Sequence, residues 1–220
     1  MSIHLRKEIE ILKKKILALS AVVEKSVASS VEAIINRDIE LADSVIKNDI
    51  DIDKTEVEIE EDCLKILALH QPVANDLRFI VAVLKINNDL ERIGDLSVNV
   101  AKRAKYIASQ NRIYDYFELP VMAEKAQTML RRSLDSLVNM DTDLAHEVCI
   151  SDDEVDTINK DINKSIRDNL ISDPGNVDSY LKLFNATRNI ERIADHATNI
   201  AEDVIYMIEG EIIRHKGGKS

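Results

Sequence analysis

A chain that writes the same helical phrase twice is bound to fold as two like units. Here the phrase is Leu90-Glu91-Arg92-Ile93-Gly94-Asp95, and it returns 100 positions later, from Glu91 to Glu191, as Ile190-Glu191-Arg192-Ile193-Ala194-Asp195. The register extends beyond those six residues. Asn99 answers Asn199, Ala101 answers Ala201, and apolar Val83, Ile86, Val100 and Ile107 answer Leu183, Ala186, Ile200 and Met207. Further upstream, Asn36, Asp38, Leu41, Ala42 and Val45 correspond to Asn139, Asp141, Leu144, Ala145 and Val148 at an offset of 103, read from Asn36 to Asn139.

The units are helical. Only 5 Gly and 3 Pro interrupt 220 residues, and the long stretches of Glu, Lys, Ala, Leu and Ile favour helices, because those side chains lose little freedom there. A first helix is predicted over Ile3 to Asn36, with Leu5, Ile9, Leu12, Ile16, Leu19, Val23, Val27 and Ile34 in one apolar stripe. A second runs from Asp38 to Leu69, ended by Gln71-Pro72, and a third from Asp76 to Ser109, capped by Asn75 or Asp76. After an irregular Gln110 to Pro120 the plan repeats, with helices over Met122 to Asn139, Asp141 to Leu170 and Asn176 to Glu209. The expected fold is all-α: two tandem homologous three-helix bundles built from six long helices. Their expected limits are 1–110 and 111–214, with 215–220 a flexible tail.

Composition narrows the function. A formal charge of −11 repels a phosphate backbone, so nucleic acid is not an expected partner, whereas cations and basic protein surfaces are. No apolar run approaches the roughly 18 residues of a membrane-spanning helix, and the first thirty residues are too charged for a signal peptide. A cytoplasmic protein is expected, with Cys63 and Cys149 as free buried thiols in a reducing compartment.

The repeated acids carry the chemistry. On the third helix Phe79, Val83, Ile86, Leu90, Ile93, Ser97, Val100, Ala104 and Ile107 form the packing seam, and at about 100° per residue Glu91 and Asp95 lie well off it. Asn88 and Asn99 share their strip, and Glu191, Asp195 and Asn199 repeat it on the sixth helix. Two carboxylates one turn apart repel each other, and no Lys or Arg follows any of these acids at i+4. A hard or borderline cation would supply the missing charge. The second helix of each unit adds Asp49 and Asp53, or Asp152 and Asp156, at the same spacing; with antiparallel helices, four carboxylates meet, enough for more than one metal ion. The opposing reading is plain solvated surface, with Asp89 and Arg92 forming surface ion pairs nearby. His196, whose counterpart is Leu96, reads equally as an accessory ligand or a partly buried helix residue.

No glycine-rich phosphate loop, Gly-x-Ser-x-Gly elbow or His-Glu-x-x-His occurs, and the Glu-x-x-His of carboxylate-bridged diiron bundles is absent. A carboxylate-metal enzyme, phosphohydrolase or redox, is therefore a weak alternative. A purely structural helical scaffold is the other.

The segment His70-Gln71-Pro72-Val73-Ala74-Asn75-Asp76-Leu77-Arg78, followed by Asp89-Leu90-Glu91-Arg92-Ile93-Gly94-Asp95, resembles the signature of the PhoU family of bacterial phosphate-uptake regulators. The Leu5 to Val31 helix and the second copy, Arg188 through Glu202, extend the likeness over nearly the whole chain. Two departures stand out: the usual Arg-Gln-Pro reads His70-Gln71-Pro72, and the second copy has Asn176-Val177-Asp178 in place of Asp-Leu-Arg. The resemblance implies pseudo-twofold symmetry and multinuclear metal clusters, iron or zinc, held by Glu91, Asp95, Glu191 and Asp195 with Asp49, Asp53, Asp152 and Asp156 contributed by the second helices. It also implies a non-enzymatic negative regulator of the phosphate-starvation response, linking the ATPase subunit of a phosphate ABC transporter to a membrane sensor histidine kinase. Membrane association would then come only through partners, and a homo-oligomer, in the simplest case a dimer, is expected.

Overall fold

The computed structural model describes residues 3–110 and 117–210. Six α-helices account for almost all of them: α1 (Ile3–Asn36), α2 (Ile39–His70), α3 (Ala74–Ser109), α4 (Leu119–Asn139), α5 (Thr142–Ser172) and α6 (Val177–Glu209). A single 3₁₀ turn, Pro174–Asn176, precedes α6, and no strand occurs among the described residues. The all-α, two-bundle expectation holds. At about 1.5 Å per residue, the 36 residues of α3 span roughly 54 Å. The expected tail at 215–220 lies outside the described residues.

The two repeats turn their first corner alike. Arg37 (φ 55°) and Met140 (φ 53°) adopt the left-handed conformation just past α1 and α4. The next residue's amide reaches back to the last turn, Asp38 N to Ala33 O at 3.0 Å and Asp141 N to Ser136 O at 3.0 Å, which closes a Schellman-type helix end. Each aspartate then caps the following helix, Asp38 accepting from Leu41 N at 2.9 Å and Asp141 from Leu144 N at 3.0 Å. Arg37 also spans the bundle. Its Nη2 donates to Ala108 O at 2.9 Å and Gln110 O at 2.6 Å, satisfying carbonyls at the end of α3 that have no partner within their own helix.

Two helix starts, those of α3 and α4, differ from the sequence expectation by more than one residue, and that of α6 by one. α3 begins at Ala74, and its N-cap is Val73 with no side-chain bond; Asn75 instead accepts from Arg78 at 2.8 Å, and Asp76 sits in the first turn facing the positive helix end. α4 begins three residues early, because Pro120 fits the first turn of a helix, where a missing N–H costs nothing. α6 begins at Val177, since Asn176 completes the 3₁₀ turn.

The apolar stripes become the core, with every predicted α1 and α3 seam residue buried. α3, however, is buried nearly all round. Ile80, Ala82, Gly94, Leu96, Val98 and Ala101 lie beside the seam yet are also enclosed, because α3 faces α6 of the other repeat as well as α1 and α2. α3 and α6 run antiparallel: Arg78 Nε donates to Met207 O (3.2 Å), Lys85 Nζ to Asp203 Oδ1 (3.1 Å), and Tyr106 OH to Asp178 Oδ2 (3.4 Å). Lys85 stands 5.0 Å from the Tyr206 ring centre and Lys182 5.1 Å from that of Tyr106, an exchange between repeats with local twofold character.

Candidate metal centres

α2 lies against α3 where Gly94 leaves no side chain in the way. A β-carbon at Gly94 would stand 3.3 Å from both Asp49 Oδ1 and Ile52. That contact aims the Asp49 carboxyl at the α3 turn carrying Glu91 and Asp95, so the predicted approach of the second-helix acids to the third occurs. Asp49 Oδ1 is buried and has no hydrogen-bond partner. Burial, then the charges of Asp53, Asp95 and Glu91, push the Asp49 carboxyl up to about 6, with Lys102 opposing. Glu91 is raised too, by burial first and Asp95 next, while Arg92 and His196 favour its ionised form.

The second repeat rebuilds this face between α5 and α6. Thr198 Oγ1 donates to Asp152 Oδ1 at 3.5 Å. Burial and Asp156 raise the Asp152 carboxyl, against the Thr198 bond. Asp195 is pushed up to about 6 by its protein surroundings, then by Asp152, Glu191 and Asp156. Because Asp195 is more open to water than Asp49, solvent screens its repulsions more strongly.

The eight predicted acids are thus gathered four to a repeat. Among the described residues, however, no group of three or more His, Cys, Asp or Glu side chains is drawn close enough to hold a metal ion. The donor set is all oxygen, which suits a hard or borderline cation, and the unpartnered buried Asp49 oxygen is an acceptor for which the fold supplies no donor.

Arg92 forms the surface ion pairs that the opposing reading expected, with Glu91 (3.5 Å) and Asp95 (3.6 Å), so the first pair is partly neutralised from a position the i+4 rule does not cover. Other local features add to the sequence reading or depart from it. Lys160 lies 3.7 Å from Asp156. Asp89 forms no surface ion pair: it is buried and hydrogen-bonded to His196 across the repeats at 2.7 Å. Glu56 also belongs to the first face. Its carboxyl is raised by burial, Glu60, Glu91 and Asp53, and Asn87 Nδ2 donates to its carbonyl at 2.9 Å. Its position two turns after Asp49 is the signal that marks it. Both cysteines are free, Cys63 buried and Cys149 only half-buried, and burial pushes their thiols up to about 12 and about 11.

Fold and faces together define a class, two-repeat helical proteins with an acidic face on each repeat. Comparison with known proteins specifies it further. The PhoU domain matches twice, over residues 16–104 and 119–204. The phosphate-specific transport system accessory protein PhoU homolog of Aquifex aeolicus is 38% identical over 96% of this chain and 95% of its own. The homolog from Pseudomonas aeruginosa is also 38% identical, over 96% of this chain and 87% of its own. The crystal structure of PhoU from Pseudomonas aeruginosa superposes with a TM-score of 0.91 at 37% identity, covering 94% of this chain and 99% of that one. The phosphate transport system regulatory protein PhoU from Streptococcus pneumoniae gives 0.87 at 25% identity, covering 94% and 98%. This chain belongs to the PhoU family.

Proposed function

We propose that this chain is a non-enzymatic, cation-binding regulator of phosphate uptake that restrains the phosphate-starvation response. The observation that carries the regulatory part is the full-length likeness to proteins named for accessory and regulatory roles in phosphate transport. In this reading it acts in the cytoplasm between the ATPase subunit of a phosphate ABC transporter and a sensor histidine kinase. It is a homo-oligomer, a dimer in the simplest case, and meets the membrane only through those partners. No helix among the described residues is long and apolar enough to cross a membrane.

Asp49, Asp53, Glu91 and Asp95 would hold cations on one face, and Asp152, Asp156, Glu191 and Asp195 on the other. Iron or zinc in multinuclear clusters is the expected occupant. When bound, the metal would supply positive charge that offsets the crowded carboxylates and draws α2 towards α3 and α5 towards α6. The chain's own contribution is to aim the acids, through the close approach at Gly94 and the Thr198 bond to Asp152.

Two measurements test the proposal. Deleting the gene in its own host should raise a phosphate-starvation reporter in phosphate-replete medium; an unchanged reporter overturns the regulatory reading. Elemental analysis of the purified protein should find metal that falls in Glu91→Ala/Asp95→Ala and in Glu191→Ala/Asp195→Ala. Equal metal content in all three proteins overturns the cation reading.

A further inference from the structure

One acidic face belongs to each repeat, and a side-chain bond between α3 and α6 joins the turns that carry them. His196 Nδ1 stands 2.7 Å from Asp89 Oδ1. An ionised carboxylate only accepts, so the ring nitrogen donates, and this fixes the orientation of the imidazole. Both side chains are largely enclosed, 18% and 13% exposed, which keeps water from competing for the bond.

The position of the bond matters more than its strength. Asp89 precedes Glu91 by two residues on α3, and His196 follows Asp195 directly on α6. The bond therefore joins the acid-bearing turn of α3 to the acid-bearing turn of α6. The repeat symmetry is broken here: at an offset of 100, the counterparts of Asp89 and His196 are Asn189 and Leu96, and a leucine side chain cannot make the bond. The crossing is made once, not twice; the other side-chain bonds between the two helices, from Arg78, Lys85 and Tyr106, lie farther along them, so this oriented pair is the one that joins the acid-bearing turns.

We propose that the Asp89–His196 bond couples the two acidic faces into one cooperative divalent-cation-binding unit, with both residues positioning the acids rather than touching the ion. A cation on the first face draws α2 to α3 and restrains the turn of α3 that carries Asp89, Glu91 and Asp95. Through the bond, that restraint fixes the turn of α6 that carries Asp195. The second face then needs less ordering to bind its own cation, which is positive cooperativity. This inference rests on the cation-binding reading of the two faces.

The test uses the full chain with Mn²⁺ as the probe, titrated calorimetrically and by electron paramagnetic resonance. In the wild type, disabling the first face with Glu91→Ala/Asp95→Ala should weaken Mn²⁺ binding at the second by at least about fivefold, the lower end of site-to-site coupling. Adding His196→Leu, the residue the other repeat carries naturally, should abolish that dependence. His196→Asn keeps a donor near the Nδ1 position and should retain it. Should His196→Leu lose helical content, Asp89→Ala breaks the same bond from the other side. Coupling that persists in these bond-breaking variants overturns the inference. So does loss of Mn²⁺ from the second face in His196→Leu alone, which would make the ring a direct ligand. Two faces that bind Mn²⁺ independently in the wild type overturn the coupling and leave the cation reading standing; no Mn²⁺ binding at all overturns both. A bond of merely structural value would lower thermal stability without changing how one face depends on the other.

Discussion

Asp49 concentrates the chemistry of the first face. Its carboxyl is raised to about 6 in the folded chain, above the usual 3.8. Between about pH 4 and 6 the folded protein therefore holds a proton that the unfolded chain has released, and this contribution to stability is lost as pH rises through that window. In chelator, the melting temperature of Asp49→Asn should gain on the wild type as pH goes from 4 to 7; a constant difference would contradict the raised carboxyl. Gly94 offers a second probe. Alanine there gains about 1 kcal/mol of helix propensity but presses on Asp49 and Ile52. Metal-free stability should stay within about 1 kcal/mol of wild type, since the two effects oppose each other, while Mn²⁺ affinity falls at the first face. The second copy already carries buried Ala194 at the matching position, so its acids are aimed by other contacts.

At the scale of the helix, local signals carry far. Asp38 and Asp141 stand at the expected starts of the second and fifth helices, and both cap them, because capping is settled within one turn. Replacing either by Ala should cost about 1 kcal/mol and lower the melting temperature by roughly 2–4 °C, measured calorimetrically. Asn75 and Asp76 look equally suited to cap α3 and do not. Gln71 and Ala74 take left-handed backbone angles at the proline corner, which puts both residues inside the first turn. Glu56, two turns after Asp49, was not among the expected acids, because its place on the face depends on how α2 packs against α3. Arg92, expected in surface ion pairs, makes them with both acids of the first pair.

The whole molecule is organised by α3 and α6, each the innermost helix of its repeat. Arg78 shows how far that reaches: from the start of α3 its guanidinium lies 3.4 Å from where a β-carbon would stand on Gly210, just past α6, and it donates to Met207 O. Arg78→Ala should loosen the last turn of α6, in the other repeat. Hydrogen exchange at Tyr206 to Glu209 should speed up while the middle of α6 is unchanged; protection that stays as it was would mean that the contact contributes nothing. Six helices, their stripes, the duplication and the eight acids could be read from the chain alone, because each follows from spacing along a helix of known pitch. Which way the inner helices meet, the enclosure of Asp89 and its bond to His196 were settled only when the repeats packed, and the aim of Asp49 at α3 only when α2 packed against α3 at Gly94. Those contacts join residues as far apart as Asp89 and His196, and periodicity, which reports only the faces of one helix, carries no record of its neighbour.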